Sequence, residues 1–319
     1  MRGATREVGT ILGMMLVVGI PALLTHATVQ VPIWDRHTVA SPTPYGYTVS
    51  LLLFALPVLV IGVDHLMHAH KAEDRKAFIQ CAGLMTTLGA LLDLFFGYAF
   101  FEFPNEGATL GIRVPAWSWG QMAWVPDYLP LEEFGFYVFG ALFMVSTYLW
   151  ADAHWLAKYD PDRYRHAPEL PKIVTISPWA AAVWAGLVGY GIVHTYLFDG
   201  GFPGYFVFLM GAGVLPSLFL VRTVKRFVNW HALGFAFGGL VLISVMWEAT
   251  FGLPYEWWTY KSDQMLGVYL RAWGNLPLEE VTLWFVGVWD AVMFYELFRI
   301  RHRMADRKLR HALFGRPAA

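Results

Sequence analysis

Apolar residues in this chain come in long unbroken runs rather than in the narrow stripes of a soluble helix. Eight runs reach the roughly 17–25 residues that cross a bilayer. They cover residues 8–24, 47–67, 78–101, 131–151, 177–198, 205–224, 231–251 and 279–300. Polar and charged residues collect in the intervals. Pro57 and Pro216 fall inside runs, which membrane helices tolerate because neighbouring groups satisfy the freed carbonyl. The pattern predicts an all-α integral membrane protein of eight transmembrane helices.

The basic residues orient it. Only Arg36, Arg113, Lys261 and Arg271 fall in intervals on one side, while 19 of the 23 lysines and arginines fall on the other. That asymmetry places both termini in the cytoplasm of a multi-pass protein of the cell membrane. The first run, after Arg2 and Arg6, also has the outline of a signal peptide. No clean small-residue cleavage site follows Thr25-His26-Ala27, so a retained helix is expected.

Composition narrows the picture. Of 319 residues 57% are hydrophobic and only 15% charged, well below the roughly one quarter of a soluble domain. The 23 basic and 24 acidic residues nearly cancel, leaving no field for nucleic acid. The single cysteine, Cys81, excludes a disulfide framework or a cysteine-built metal site. There is no Walker loop, no Gly-x-Gly-x-x-Gly ahead of a helix and no aspartate-rich diphosphate motif. No cofactor and no metal are therefore expected.

Two stretches of the chain match in order. One reads Phe101-Glu102-Phe103-Pro104-Asn105-Glu106, then Leu110-Gly111-Ile112-Arg113, then Pro130-Leu131-Glu132-Glu133. The other reads Phe251-Gly252-Leu253-Pro254-Tyr255-Glu256, then Leu266-Gly267 through Arg271, then Pro277-Leu278-Glu279-Glu280. Upstream, Gly46-Tyr47 with Pro57 parallels Gly204-Tyr205 with Pro216. The reading is two parallel four-helix repeats, 1–152 and 177–300, joined by a cytoplasmic linker, 153–176, and followed by a basic tail, 301–319. Both acidic motifs then lie on the non-cytoplasmic side, facing each other across a pseudo-two-fold axis.

Paired Pro-x-Glu-Glu motifs, each opening a membrane helix after an aromatic loop with Leu-Gly, resemble the membrane-bound lycopene cyclases of the two-domain type. The resemblance covers roughly residues 46–150 and 204–300. It implies Glu132, Glu133, Glu279 and Glu280 as the functional acids and an apolar polyene drawn from the bilayer as substrate. Each half here has four predicted helices where the family domain has three. The substrate thus stays open between a carotenoid and another polyprenyl chain.

Cyclising an isoprenoid without redox chemistry needs a proton donor, a dry pocket for the carbocation and a base. Glutamates at a helix start suit the first and third needs, since burial and a second carboxylate act against the helix dipole on their protonation. Neighbours at i and i+1 point about 100° apart, so one of each pair is expected to face the site and the other the loop. Asp93, Glu248 and Asp290 are further acids inside the predicted spans, where charge is costly. Glu248 and Asp93 join the candidate catalytic set. An interhelical hydrogen bond is the plainer reading of Asp290. If the seventh helix continued, Glu248 would lie about 12 Å deeper than Glu256.

Aromatic rings stabilise a desolvated cation. Trp117, Trp119, Trp124, Tyr128, Trp247, Trp257, Trp258, Tyr260 and Trp273 flank the glutamates and are candidate substrate-binding residues, with Tyr269 beside them. Each alone also fits an interfacial aromatic belt. Seven of the fifteen tryptophans fall in 117–124 and 247–273, and that clustering marks a site. The rival chemistry is a metal box built on Asp64-His65, His68 and His70 with His154 and His231 on the same face. Only one such box occurs, followed by Lys71, Glu73, Asp74, Arg75 and Lys76, so a solvated cytoplasmic turn is the expectation. His194 stands alone in its span.

Overall fold

The computed structural model describes residues 2–31, 42–68, 72–155, 164–175, 177–197, 201–304 and 308–315. The chain is mostly helical. Among the described residues six helices are long and apolar enough to cross a membrane: Gly46–Met67, Ala72–Phe100, Leu131–Ala153, Gly204–Val224, Trp230–Gly252 and Leu278–Arg303. The first joins α2 (Gly46–Ser50) to α3 (Leu52–His68); α4 is Ala72–Phe100 and α5 is Leu131–Trp150. The fourth runs through α7 (Gly204–Phe208), a π-helical stretch Leu209–Val214 and α8 (Leu215–Val224). The last two are α9 (Trp230–Trp247), which ends in a π turn Glu248–Gly252, and α10 (Leu278–Arg303). The remaining runs, 8–24 and 177–198, fall on α1 (Arg2–Ala27) and α6 (Pro178–Leu197).

Large apolar side chains face outward along these helices. Leu23, Met67, Ile79, Trp179 and Leu242 are all more than half exposed, as contact with lipid rather than water requires. The core is aromatic instead, with Tyr47, Phe54, Trp257, Trp284 and Tyr295 almost wholly buried. α10 is its axis and packs against α4, α5, α8 and α9. Two small residues allow close approach. A Cβ added at Gly287 would come 2.7 Å from Met144 Cε of α5, and one at Gly213 would come 1.9 Å from Val286 Cγ1.

A charged cluster ties the far end of α10 to its neighbours. Arg299 reaches Asp74 on α4 (3.0 Å), Asp152 (3.1 Å) and Glu296 (3.3 Å), and Arg303 reaches Asp74 at 2.7 Å. Tyr148 of α5 donates to Glu296 at 2.7 Å, and Asn229 donates to Asp152 at 2.8 Å. These groups lie on the face where the basic residues concentrate.

The all-α expectation needs a correction at the other face. Three short two-stranded ribbons form there: β1 (Phe101–Glu102) with β4 (Thr259–Tyr260), β2 (Arg113–Ser118) with β3 (Ala123–Pro130), and β5 (Tyr269–Leu270) with β6 (Leu276–Pro277). All are antiparallel. The β2–β3 hairpin has a physical cause in valine, tryptophan and tyrosine flanking a loop at Gly120-Gln121, residues that fit a pleated surface around a turn. The β1–β4 ribbon pairs Phe101 with Tyr260 and Glu102 with Thr259. Backbone bonds from Lys261 N to Phe100 O and from Asn105 N to Glu256 O extend it. It stitches the loop after α4 to the loop after α9, directly above the site.

Candidate active site

α5 and α10 begin in the same way. Pro130 and Pro277 stand in extended geometry (φ −65° and −61°) immediately before a leucine and two buried glutamates. The Leu-Gly motif supplies the partner for the first glutamate of each pair. Leu110 N donates to Glu132 Oε1 at 2.7 Å, and Leu266 N donates to Glu279 Oε1. One residue on, Gly111 (φ 75°) and Gly267 (φ 80°) take the left-handed conformation that turns each loop back toward its helix. Leu131 N then bonds to Ile112 O and Leu278 N to Val268 O, each at 2.9 Å. Thr48 Oγ1 adds a donor to Glu132 at 2.5 Å. Glu132 and Glu279 are loop latches, held where the helix N-terminus favours negative charge.

The second glutamates face the opposite way. Tyr47 Oη donates to Glu133 Oε1 at 2.5 Å, and Tyr205 Oη donates to Glu280 Oε1 at 2.8 Å. The two tyrosines open α2 and α7, so the upstream Gly-Tyr correspondence has a chemical meaning. Each Gly-Tyr delivers a phenol to the inward glutamate of its own half. The expected split within each pair is visible in this geometry.

Glu248 arrives from the side. α9 does not continue straight to Glu256; it ends in the π turn at Gly252 and the chain reverses, with Leu253 N bonding back to Glu248 O. Glu248 is 2% exposed. Its Oε1 accepts from Trp284 Nε1 at 2.5 Å, and its Oε2 accepts from Tyr260 Oη at 3.4 Å. Glu280 shares the chamber wall with it, and the two buried carboxyls interact electrostatically. Two buried carboxyls side by side favour sharing one proton over carrying two charges. Asp93 of α4 interacts electrostatically with Glu133, and neither of its oxygens has a protein partner. The Tyr260 phenol is pushed well above its ordinary pKa by burial and then by Glu280 and Glu248, which keeps it a donor.

Aromatic faces wall this acid group. Trp258 lies 4.8 Å from Trp247 and 5.1 Å from Tyr47, while Phe136 stacks on Trp247 at 5.6 Å. The chamber they line has a volume of about 30 Å³, room for about one water-sized group. Phe101, Phe136, Tyr137 and Leu283 also line a second cavity of about 340 Å³ between α4, α5, α7–α8 and α10. That size suits a small-molecule site. Its lining is almost wholly apolar, and Leu88, one of its residues, is 38% exposed toward the outer surface of α4.

Several expected binding residues lie elsewhere. Trp117, Trp119 and Trp124 sit on the β2–β3 hairpin and form an edge-to-face cluster with one another. Trp119 and Trp124 lean on Phe96 and Phe95 and are about half exposed, so they belong to the outer rim. Tyr128 donates to Phe101 O at 2.6 Å and packs on Tyr98, steadying a chamber residue without lining the chamber. Trp257 stacks behind Tyr47 at 6.1 Å and donates to Thr43 at 2.8 Å. Trp273 is 45% exposed beside a shallow groove on α9. The structure brings Trp247, Trp258 and Tyr260 to the acids and adds Tyr47, Phe136, Tyr137, Tyr205 and Trp284, none of which stood among the sequence candidates. Tyr137 and Trp284 follow Glu133 and Glu280 by four residues on their helices, a spacing that shares a face and was a readable signal.

Among the described residues no three His, Cys, Asp or Glu side chains are grouped to hold a metal ion. His65 packs edge-on against Phe78. His70 and the side chains of His68, His154 and His194 lie outside the described residues. Comparison of the chain with protein-family models, with curated proteins and with solved structures found no match.

Proposed function

We propose that this chain is a multi-pass cyclase of the cell membrane that closes a ring on a polyprenyl or carotenoid chain, as the resemblance to membrane-bound lycopene cyclases implies. The observation that carries the reading is the pair of buried carboxyls, Glu248 and Glu280, on the wall of one aromatic-lined chamber that shares lining residues with an apolar cavity. The reaction is an isomerisation. The shared proton of the pair adds to a terminal double bond of the polyene. An internal double bond attacks the resulting tertiary cation, closing a carbon–carbon bond. A carboxylate removes a proton from the carbon beside the new cation and restores a double bond. No oxidant, reductant or cofactor enters.

Each residue has a task in this scheme. Glu280 and Glu248 supply the proton, with Tyr205, Tyr260 and Trp284 fixing the carboxyl oxygens. Glu133, held by Tyr47 and neighboured by Asp93, is the base. Trp247, Trp258 and Phe136 present ring faces worth ~2 kcal/mol or more each to a desolvated cation. Glu132 and Glu279 hold the loops that roof the chamber. The substrate enters from the bilayer past α4.

The wider frame belongs to the same proposal: eight spans, two parallel repeats and both termini in the cytoplasm. The mirrored bonds at Glu132/Glu279 and Glu133/Glu280 support the repeat. A reporter fused after Gly120 is expected to read non-cytoplasmic. The function is tested by expressing the chain in a host that accumulates lycopene, and separately with linear polyprenyl substrates, in deuterated water. One deuterium in each new ring is expected. A ring without deuterium, or no cyclic product from either class, overturns the reading.

A further inference from the structure

Beyond the chamber, the apolar cavity contains a carboxyl that the protein leaves unsatisfied at depth. Asp290 of α10 lines the cavity and is 7% exposed, and its Oδ1 has no hydrogen-bond partner. It lies ten residues along α10 from Glu280, which is about 15 Å on a straight helix. The interhelical hydrogen bond expected of such a residue is absent from its Oδ1. Asp93, also without partners, lies toward the chamber and has Glu133 beside it. Asp290 has no such neighbour to explain it.

The wall opposite Asp290 is helical backbone. A Cβ added at Gly213 would stand 3.3 Å from Asp290 Oδ2, so the π-helical stretch Leu209–Val214 passes directly over the carboxyl. Pro216 follows and lines the cavity, and its nitrogen has no hydrogen with which to close a helical turn. π-helical turns of this kind recur at functional sites. The only other polar side chains in the lining are Asp93, Tyr137 and Tyr205, and Tyr205 is committed to Glu280. Tyr137 interacts with Asp93, Glu133 and Glu280 toward the chamber, so the lining around Asp290 adds no other polar side chain. Buried acceptors are normally matched, so the missing donor belongs to what the cavity holds.

We infer that the cavity binds an isoprenoid carrying a hydroxyl about 15 Å from its reacting end, and that Asp290 accepts the hydrogen bond of that hydroxyl. The inference rests on the proposed function, because that reading places the reacting end at Glu280. A hydroxyl fits better than an ammonium group, since the surrounding lining is hydrocarbon and desolvating a cation there costs far more. Asp290 is thus a specificity residue that separates prenyl alcohols from plain polyene hydrocarbons.

The test is a binding measurement that needs no turnover. Dissociation constants of farnesol and geranylgeraniol are compared with those of the same chains with hydrogen in place of hydroxyl, using tryptophan fluorescence of the full chain in detergent. At least one alcohol is expected to bind ten times more tightly than its hydrocarbon. Asp290→Leu is expected to remove that preference while still binding the hydrocarbon, which also reports its folding. Asp290→Asn, which keeps an acceptor oxygen, is expected to retain part of it. Equal affinity for alcohol and hydrocarbon in the unaltered protein, or a preference that survives in Asp290→Leu, overturns the hydroxyl inference and leaves the isoprenoid cavity standing. Tighter binding of geranylgeranylamine than of the alcohol overturns it in favour of a cation site. Binding of none of these compounds overturns both the inference and the reading beneath it.

Discussion

The indole nitrogen of Trp284 lies 2.5 Å from Oε1 of Glu248, joining the π-ended tip of α9 to the second turn of α10. Tyr260 approaches the other oxygen at 3.4 Å, and Glu280 completes the set. The carboxyl is approached by two groups one turn apart on α10 and by a third from the loop after α9. Trp284 is itself fixed by stacking on Phe54, with centroids 5.8 Å apart and planes 8° apart. An orientation built this way is prepared before substrate arrives, which is the condition for a donor to act without reorganising.

Trp284→Phe tests that preparation. It keeps a ring on Phe54 and removes the donor to Glu248. Turnover is expected to fall on the order of 10²-fold, as for loss of one positioned donor in other active sites. The buried acceptor left behind is expected to cost about 1–3 kcal/mol of stability. Product formation and thermal unfolding in detergent read the two effects. Unchanged turnover would show that Glu248 needs no such hold.

Neighbouring glutamates are expected to fail in different ways. Glu280→Gln keeps size and hydrogen bonding but carries no transferable proton, so product is lost while the unfolding temperature barely moves. Glu279→Ala leaves Leu266 N–H without its acceptor, at a cost of about 1–3 kcal/mol, and lowers the unfolding temperature first. Parallel denaturation and product assays on both variants check the division. Identical behaviour of the two would contradict it.

Much of this arrangement was legible in the residues. The Pro-Leu-Glu-Glu pairs, the Leu-Gly dipeptides and the Gly-Tyr pairs announced two matching frameworks, because the same residue types recur in the same order and make the same bonds. Six of the apolar runs fall on helices able to span a membrane, since length and hydropathy alone decide that property. What could not be read was set by tertiary geometry. Glu248 reaches Glu280 only because α9 ends in a π turn, and nothing in Trp247-Glu248-Ala249-Thr250 marks that turn. The tryptophans of 117–124 precede the first glutamate pair in sequence, yet a hairpin carries them to the rim. Trp284, one helical turn past Glu280, supplies the donor instead.

The apolar cavity predicts a steric limit on chain length. Gly140 lines it, and a Cβ there would meet only Phe136 Cε2, at 3.9 Å. A side chain at this position can start without a clash, and Gly140→Leu is expected to place its branch in the cavity. Long isoprenoids are expected to bind at least tenfold more weakly, with short ones little affected and the unfolding temperature unchanged or higher. Binding of a chain-length series to both proteins reads this. Equal weakening at every length would place the chain elsewhere.

Stability above pH 10 provides a last check on the chamber. Tyr260 is held protonated in the fold, chiefly by burial and then by Glu280 and Glu248, from a starting value of 10.0. The unfolded chain releases that proton near its ordinary pKa, whereas the folded chain keeps it. A group whose folded pKa is raised adds stability that is complete below the unfolded value and drains away as pH climbs past it. Tyr128 and Tyr269 shift in the same direction, mainly through burial, while Lys261 is lowered by its own burial and opposes them. Unfolding in graded denaturant from pH 8 to 11 is thus expected to show stability falling above about pH 10. In Tyr260→Phe the fall should be shallower by one proton's share, because the substituted ring has nothing to titrate. Absorbance of the phenolate should show one fewer late-titrating tyrosine in that variant. An identical slope in both proteins, with the variant losing a tyrosine that titrates near its ordinary value of about 10, would mean that Tyr260 meets water freely, and a wet chamber is incompatible with carbocation chemistry.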